Sequence, residues 1–222
     1  MYPVSRPPPS SGSNVFSGPK KACGIVLCSA LFALAGCGSL IMGKVDTSLS
    51  TLKPGNFQLD PDHTRVIFKV SHLGISSFVG RFNRSDAQLN YRNDDPAAST
   101  FTADVDMTSL DINRPDFAET LMGCDWLCVN DYPKARFQSR GRAQVTGPVL
   151  AFSGDLTFRG VTKATTLTVT LNGATTNRLT GDYTLGVDAG LTLLRSEFGM
   201  GQFVPAVGDE VTLEIYAEFI RR

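Results

Sequence analysis

The chain holds only two histidines, His63 and His72, so any His-rich metal centre is excluded and a Ser-His-Asp arrangement would have to use one of these two. No GxSxG elbow, phosphate-cradling glycine loop or HExxH pair occurs. His63 follows Asp60-Pro61-Asp62, which reads as a solvent-exposed turn feeding the first strand. His72 ends an apolar strand face, and two readings stand: a partly buried, satisfied polar group, or a donor to the polar end of a ligand otherwise held by hydrocarbon. Arg195, in LLRSEFGM, is either half of a surface ion pair with Glu197 or a guanidinium that binds a phosphate or carbonyl head group. No catalytic residue, metal site or cofactor is assigned, and the expectation is a binding protein, not an enzyme.

The five cysteines divide by position. Cys23 and Cys28 fall in the apolar run 22–35, which follows Lys20 and Lys21 and has the length of a signal-peptide core. It ends in Leu34-Ala35-Gly36-Cys37, which resembles the lipobox of bacterial lipoproteins. Residues 1–36 are therefore expected to be a signal peptide, with Cys37 lipidated and anchoring the chain to a membrane. An ordinary secretory signal is the alternative, and both place the domain in the periplasm or beyond. Gly38 stands where an aspartate is associated with inner-membrane retention, which favours the outer membrane. Cys124 and Cys128 remain. Their spacing leaves a disulfide, a buried thiol pair and a metal site open, since a regular helix would hold their Cβ atoms about 5–6 Å apart.

The elements that would position these residues are strands. Val66, Phe68, Val70 and His72 share one face, and Phe78, Gly80 and Phe82 share the next. The same period of two recurs over 101–107, 152–158, 167–171, 179–185 and 211–219, with weaker stretches near 89–91 and 135–145. Strands joined by short turns without long helices predict an all-β, eight-stranded antiparallel barrel over residues 57–222, preceded by a flexible tether at 37–56. Inward faces would supply the wall of a ligand tunnel: Val66, Phe68, Val70, Phe82, Phe101, Val105, Phe137, Phe152, Leu156, Phe158, Leu213 and Ile215. A filled interior fits the same pattern. Residues 113–123 read as a short helix with Asn113 as its cap, and the apolar stretch 188–208 as a long loop near the barrel mouth. The 21 basic and 21 acidic residues cancel. Without Arg6, Lys20 and Lys21 the chain from Cys37 onward has 18 basic against 21 acidic residues, a net of −3, which is no nucleic-acid footprint.

Five pieces in order resemble the YceI-like family of polyisoprenoid-binding proteins. They are Phe68-x-Val70-x-His72-x-Gly74 with Phe78-x-Gly80-x-Phe82; Tyr132-Pro133 leading to Phe137-x-Ser139; Gly154-x-Leu156-x-Phe158-x-Gly160-Val161-Thr162-Lys163; Arg195-Ser196-Glu197-Phe198-Gly199-Met200; and Val207-Gly208-Asp209. The resemblance implies a lipocalin-like barrel with a long apolar tunnel, binding or carrying an isoprenoid such as a polyprenyl phosphate or quinone, or a similar amphiphilic lipid. His72 and Arg195 would then meet the head group. Two departures fall near the expected entrance: Thr120 stands where many members have histidine, and Asp125-Trp126-Leu127-Cys128 replaces an aromatic segment. The competing expectation is an envelope lipoprotein with a filled barrel that docks a partner.

Overall fold

The computed structural model describes residues 43–222, so the expected signal peptide and Cys37 lie outside the described residues. The barrel contains eight antiparallel strands: β1 (Gly55–His72), β3 (Ser85–Tyr91), β4 (Thr100–Asp106), β6 (Lys134–Ser139), β8 (Val149–Phe158), β9 (Val161–Thr176), β10 (Tyr183–Leu194) and β11 (Val207–Arg221). Each pairs with the next in that order, and β11 returns to β1, closing the ring. Closure gives each of the eight ring strands a partner on both sides, an arrangement that suits the alternating pattern. Three short strands are accessory: β2 (Ser76–Phe82) beside β1, β5 (Leu110–Asp111) beside β2, and β7 (Gln144–Thr146) beside β8. A single α-helix among the described residues, α1 (Pro115–Met122), follows β5.

Strand β1 is long enough to serve two partners along one edge. Gly55–Gln58 pairs with β3 and Val66–His72 with β2, while β11 runs along the other edge. The change of partner falls at a bulge, where residues 61–64 stand opposite the single Ala217. The turn expected at Asp60-Pro61-Asp62-His63 is therefore an outward loop within a strand. Its turn-forming residues are accommodated because extra residues leave the ladder and bend the strand.

The bulge carries a titrating pair. His63 Nδ1 lies 2.9 Å from Asp60 Oδ2, and Glu218 faces Asp60 across the ladder. The bond to Asp60, followed by the charge of Glu218, raises the His63 pKa above its ordinary 6.5, and the same bond lowers that of Asp60 below 3.8. The histidine's contribution to stability is complete below pH 6.5 and fades as pH rises through its raised folded value; the aspartate's is present above 3.8 and fades as pH falls. With His63 62% exposed the effect on stability is small, but the titration is readable. A proton NMR titration should place the His63 midpoint above 6.5, and Asp60→Asn should bring it down.

Several sequence expectations are corrected. Residues 46–54 are no free tether: Asp46 bridges Ala174, Leu52 is 1% exposed, the Tyr91 hydroxyl donates to the Leu49 carbonyl at 2.6 Å, and the Lys53 amide donates to the Tyr183 hydroxyl. The segment covers one end of the barrel because Leu52 supplies apolar surface that composition alone hid among Ser, Thr and Lys. Strand β10 begins at Tyr183, leaving Leu179 exposed in a turn. Much of the expected loop at 188–208 is strand, and the irregular part is 195–206. Helix α1 is not capped by Asn113, whose φ of 56° places it in the left-handed region; Arg114 precedes the helix without a side-chain cap bond.

Candidate functional site

The barrel interior divides into two halves along the strand direction. Toward the end covered by residues 46–54, the space is filled by large side chains, with Phe57, Tyr91, Phe152 and Phe219 all under 3% exposed. Toward the other end lies an apolar cavity of about 270 Å³.

Strand β1 supplies Val66, Phe68, Val70 and His72 to the cavity wall, and β2 supplies Phe78 and Phe82. The glycine between those two phenylalanines is needed for the wall to form. Gly80 pairs with Phe68 across the ladder, and an added Cβ would overlap the Phe68 ring and Ile112. Phe68 thus lies flat against a bare stretch of β2, with ring centroids 5.6 Å from Phe82 and 6.2 Å from Phe78. On the far side, Val105, Leu156, Phe158 and Leu213 complete the barrel wall. Helix α1 closes a flank with Phe117 and Leu121, the pair whose four-residue spacing marks its apolar edge.

Two loops form a lid. In the first, the amides of Trp126 and Cys128 both donate to the Gly123 carbonyl, at 3.0 and 2.9 Å, and Cys128 has a φ of 51°. This tight turn is not a helix, so helical spacing does not apply, and Cys124 and Cys128 are joined as a disulfide. Trp126 and Leu127, carried between the two cysteines, face the cavity. The second loop, 195–206, contributes Met200. The loops are fastened together at several points. Trp126 stacks on Phe203 with centroids 6.0 Å apart, and the Gln202 side chain donates to the Asp125 carbonyl. Arg159 sits at the tip of the β8–β9 hairpin, where Arg159 and Gly160 have φ of 49° and 74°, as a two-residue primed turn requires. From there it donates to the carbonyls of Cys124 at 2.6 Å and Gly199 at 3.0 Å.

Arg195 organises the second loop from inside. It is 3% exposed and donates to four backbone carbonyls: Gly208 at 2.8 Å, Val207 at 2.8 Å, Gln202 at 2.9 Å, and Met200. Its guanidinium also lies 5.7 Å from the centre of the Trp126 ring. Burial lowers its pKa, with the nearby Asp209 charge opposing the change; the guanidinium stays protonated. The expected pairing with Glu197 is absent from its contacts. Asp209 instead accepts from the Ser196 amide and hydroxyl at 2.8 and 2.7 Å. Arg195 borders the cavity, yet four of its five N–H groups are committed to the loop.

His72 differs. It lies at the outer end of the cavity wall, is exposed, and its ring has no hydrogen-bond partner among the described residues. It is therefore available at the mouth, unlike the satisfied core histidine that was one of its two readings.

Of the twelve wall residues expected from the sequence, the structure brings eight to the cavity: Val66, Phe68, Val70, Phe82, Val105, Leu156, Phe158 and Leu213. Phe101, Phe137 and Phe152 pack among themselves in the filled half, with centroids 5.7–6.4 Å apart, and Ile215 packs against the core. These four are corrected from tunnel wall to packed interior, and the expected long tunnel is a cavity in one half of the barrel. Sequence reading missed Trp126, Leu127 and Met200 as lining residues because they sit in loops without periodicity. It also left out Met107, although the period over 101–107 put it on the inward face, and Leu110, which follows a turn where alternation breaks.

A family model described as the YceI-like domain matches residues 57–219. The chain belongs to the YceI-like family. The chain is 28% identical over 186 residues to a UPF0312 protein of Pseudomonas paraeruginosa, covering 83% of this chain and 96% of that one. A UPF0312 protein of Pseudomonas putida is 28% identical over the same length. Among solved structures, the YceI-like barrel is similar to BcnA of Burkholderia cenocepacia, with a TM-score of 0.65 and 23% identity over 72% of this chain and 98% of that one. It is also similar to a polyisoprenoid binding domain from Saccharophagus degradans, with a TM-score of 0.56 and 13% identity over 77% and 100% of the two chains. At these identities the structural likenesses establish the shared fold.

Proposed function

We propose that the domain binds and carries the apolar part of an isoprenoid or similar amphiphilic lipid outside the cytoplasm. The observation that carries this reading is the cavity of about 270 Å³, walled by aliphatic and aromatic side chains and bordered by two polar residues, His72 and Arg195. Such a wall offers an incoming hydrocarbon about 0.8 kcal/mol per buried methylene and offers few groups that could do chemistry on it. His72, exposed and unpartnered at the mouth, is placed to hydrogen-bond a head group, whereas Arg195 keeps one N–H for that purpose. Membership of the YceI-like family and the likeness to a polyisoprenoid binding domain support the ligand class. The lipobox-like quartet ending in Cys37 supports a lipid-anchored periplasmic protein, with Gly38 favouring the outer membrane.

Native mass spectrometry of protein purified without detergent is expected to show a co-purifying lipid. Delipidated protein should take up geraniol, and Leu213→Trp, which places an indole in the cavity, should weaken that uptake by at least about tenfold while the protein remains folded. Delipidated wild-type protein that takes up no isoprenoid alcohol would overturn the reading and leave surface docking of an envelope partner as its replacement.

A further inference from the structure

The boundary between the open and filled halves of the barrel falls at one level on neighbouring strands. On β4 it lies between Val105, which lines the cavity, and Phe101; on β8 it lies between Leu156 and Phe152. Between them, on β6, Ala135 lines the cavity and Phe137 does not. Phe137 is 4% exposed, and the residues around it are small where its ring needs room. Ala103 faces it across the β4 ladder. Gly154 lies beneath the ring on β8, where an added Cβ would come 2.7 Å from the ring edge. Phe101 then packs behind Phe137 at 6.4 Å, and Phe152 and Phe219 behind Phe101 at 5.7 and 6.0 Å, all with tilted or edge-on rings. Together these rings close the barrel across its middle.

We propose that Phe137, packed directly beneath the cavity, plugs the barrel under the ligand site and limits the ligand to an apolar group of about ten carbons, two isoprene units. The proposal rests on the lipid-binding reading above and sharpens it. A dry cavity of about 150 Å³ accommodates benzene, roughly 25 Å³ per carbon, so about 270 Å³ accommodates about eleven carbons. A longer chain cannot continue past Phe137, because the volume beyond it is occupied by side chains under 6% exposed, Phe101, Phe152 and Phe219. The ligand class is therefore a short isoprenoid, or the free end of a longer one whose remaining units stay outside the barrel.

The test is a length series of prenol, geraniol, farnesol and geranylgeraniol, which add one isoprene unit at a time. Binding is read from the fluorescence of Trp126, the single tryptophan of the chain and part of the cavity wall. Each unit that enters the cavity should raise affinity by at least about tenfold. For the wild-type protein the rise is expected from prenol to geraniol, with less than about a threefold further change through geranylgeraniol. In Phe137→Ala the plateau should move to farnesol; Phe137→Leu, a smaller truncation, provides the same comparison if the alanine variant does not fold. A wild-type affinity that keeps rising by about tenfold per unit to geranylgeraniol would overturn the plug while leaving lipid binding intact. A plateau unmoved in a folded Phe137 variant would also overturn it, whereas absence of binding at every length would overturn the lipid-binding reading itself.

Discussion

Arg195→Ala is expected to lower the stability of the domain by about 3–5 kcal/mol. The alanine would leave the carbonyls of Gly208, Val207, Gln202 and Met200 without their donor in a place where Arg195 is 3% exposed. Unsatisfied buried carbonyls cost more than the net value of the bonds they once made, since water cannot fully replace the lost partner. Arg195→Lys should recover only part of the loss: an ammonium has three donors at one point, and the four carbonyls are arranged around a planar fork. Urea unfolding checks this through the midpoint, with an unchanged slope showing that the variant and the wild type expose the same amount of surface on unfolding. A loss below about 1 kcal/mol would mean that water replaces the guanidinium at low cost and that its contacts to the loop contribute little to stability.

Reducing the Cys124–Cys128 disulfide is expected to cost about 2 kcal/mol, the loop-closure value for so short a ring, and to loosen the lid. Trp126 lies inside that ring, against Phe203 on one side and the cavity on the other. Its emission should move to longer wavelength on reduction, as water reaches the indole. The Cys124→Ser, Cys128→Ser double variant should give the same shift without reductant, and bound geraniol should dissociate faster from both. Emission and unfolding midpoints that do not change would show that Arg159, Gln202 and Arg195 hold the lid without the covalent link.

The barrel was legible because its strands obey a period of two over long stretches, as at Val66 to Val70, Phe152 to Phe158 and Val211 to Phe219. That period identifies the inward side of a strand but carries no information on depth along the barrel. Phe101 and Val105 sit on the same face of β4 with the same apolar character, yet one fills the floor and the other lines the cavity. What decides is the Phe137 ring on the neighbouring β6, for which Ala103 on β4 and Gly154 on β8 make room. The role of Arg195 was hidden for another reason. Its partners are backbone carbonyls, which every residue has and no sequence pattern marks, whereas Glu197 offers an obvious but unused charge. The bulge in β1 was likewise masked, because Asp, Pro and Asp favour turns and outward loops within strands alike.

The ring of strands is closed by the pairing of β1 with β11, which joins residues as distant in the chain as Val66 and Ile215. A chain synthesised from its N-terminus therefore remains an open sheet, with unpaired edges on β1 and β10, until its last strand is available. Such long-range pairing places its folding among the slower topologies, on a timescale of about milliseconds to seconds. Truncation within Val207–Arg221 would make those edges permanent, turning each molecule into a template for pairing with its neighbours.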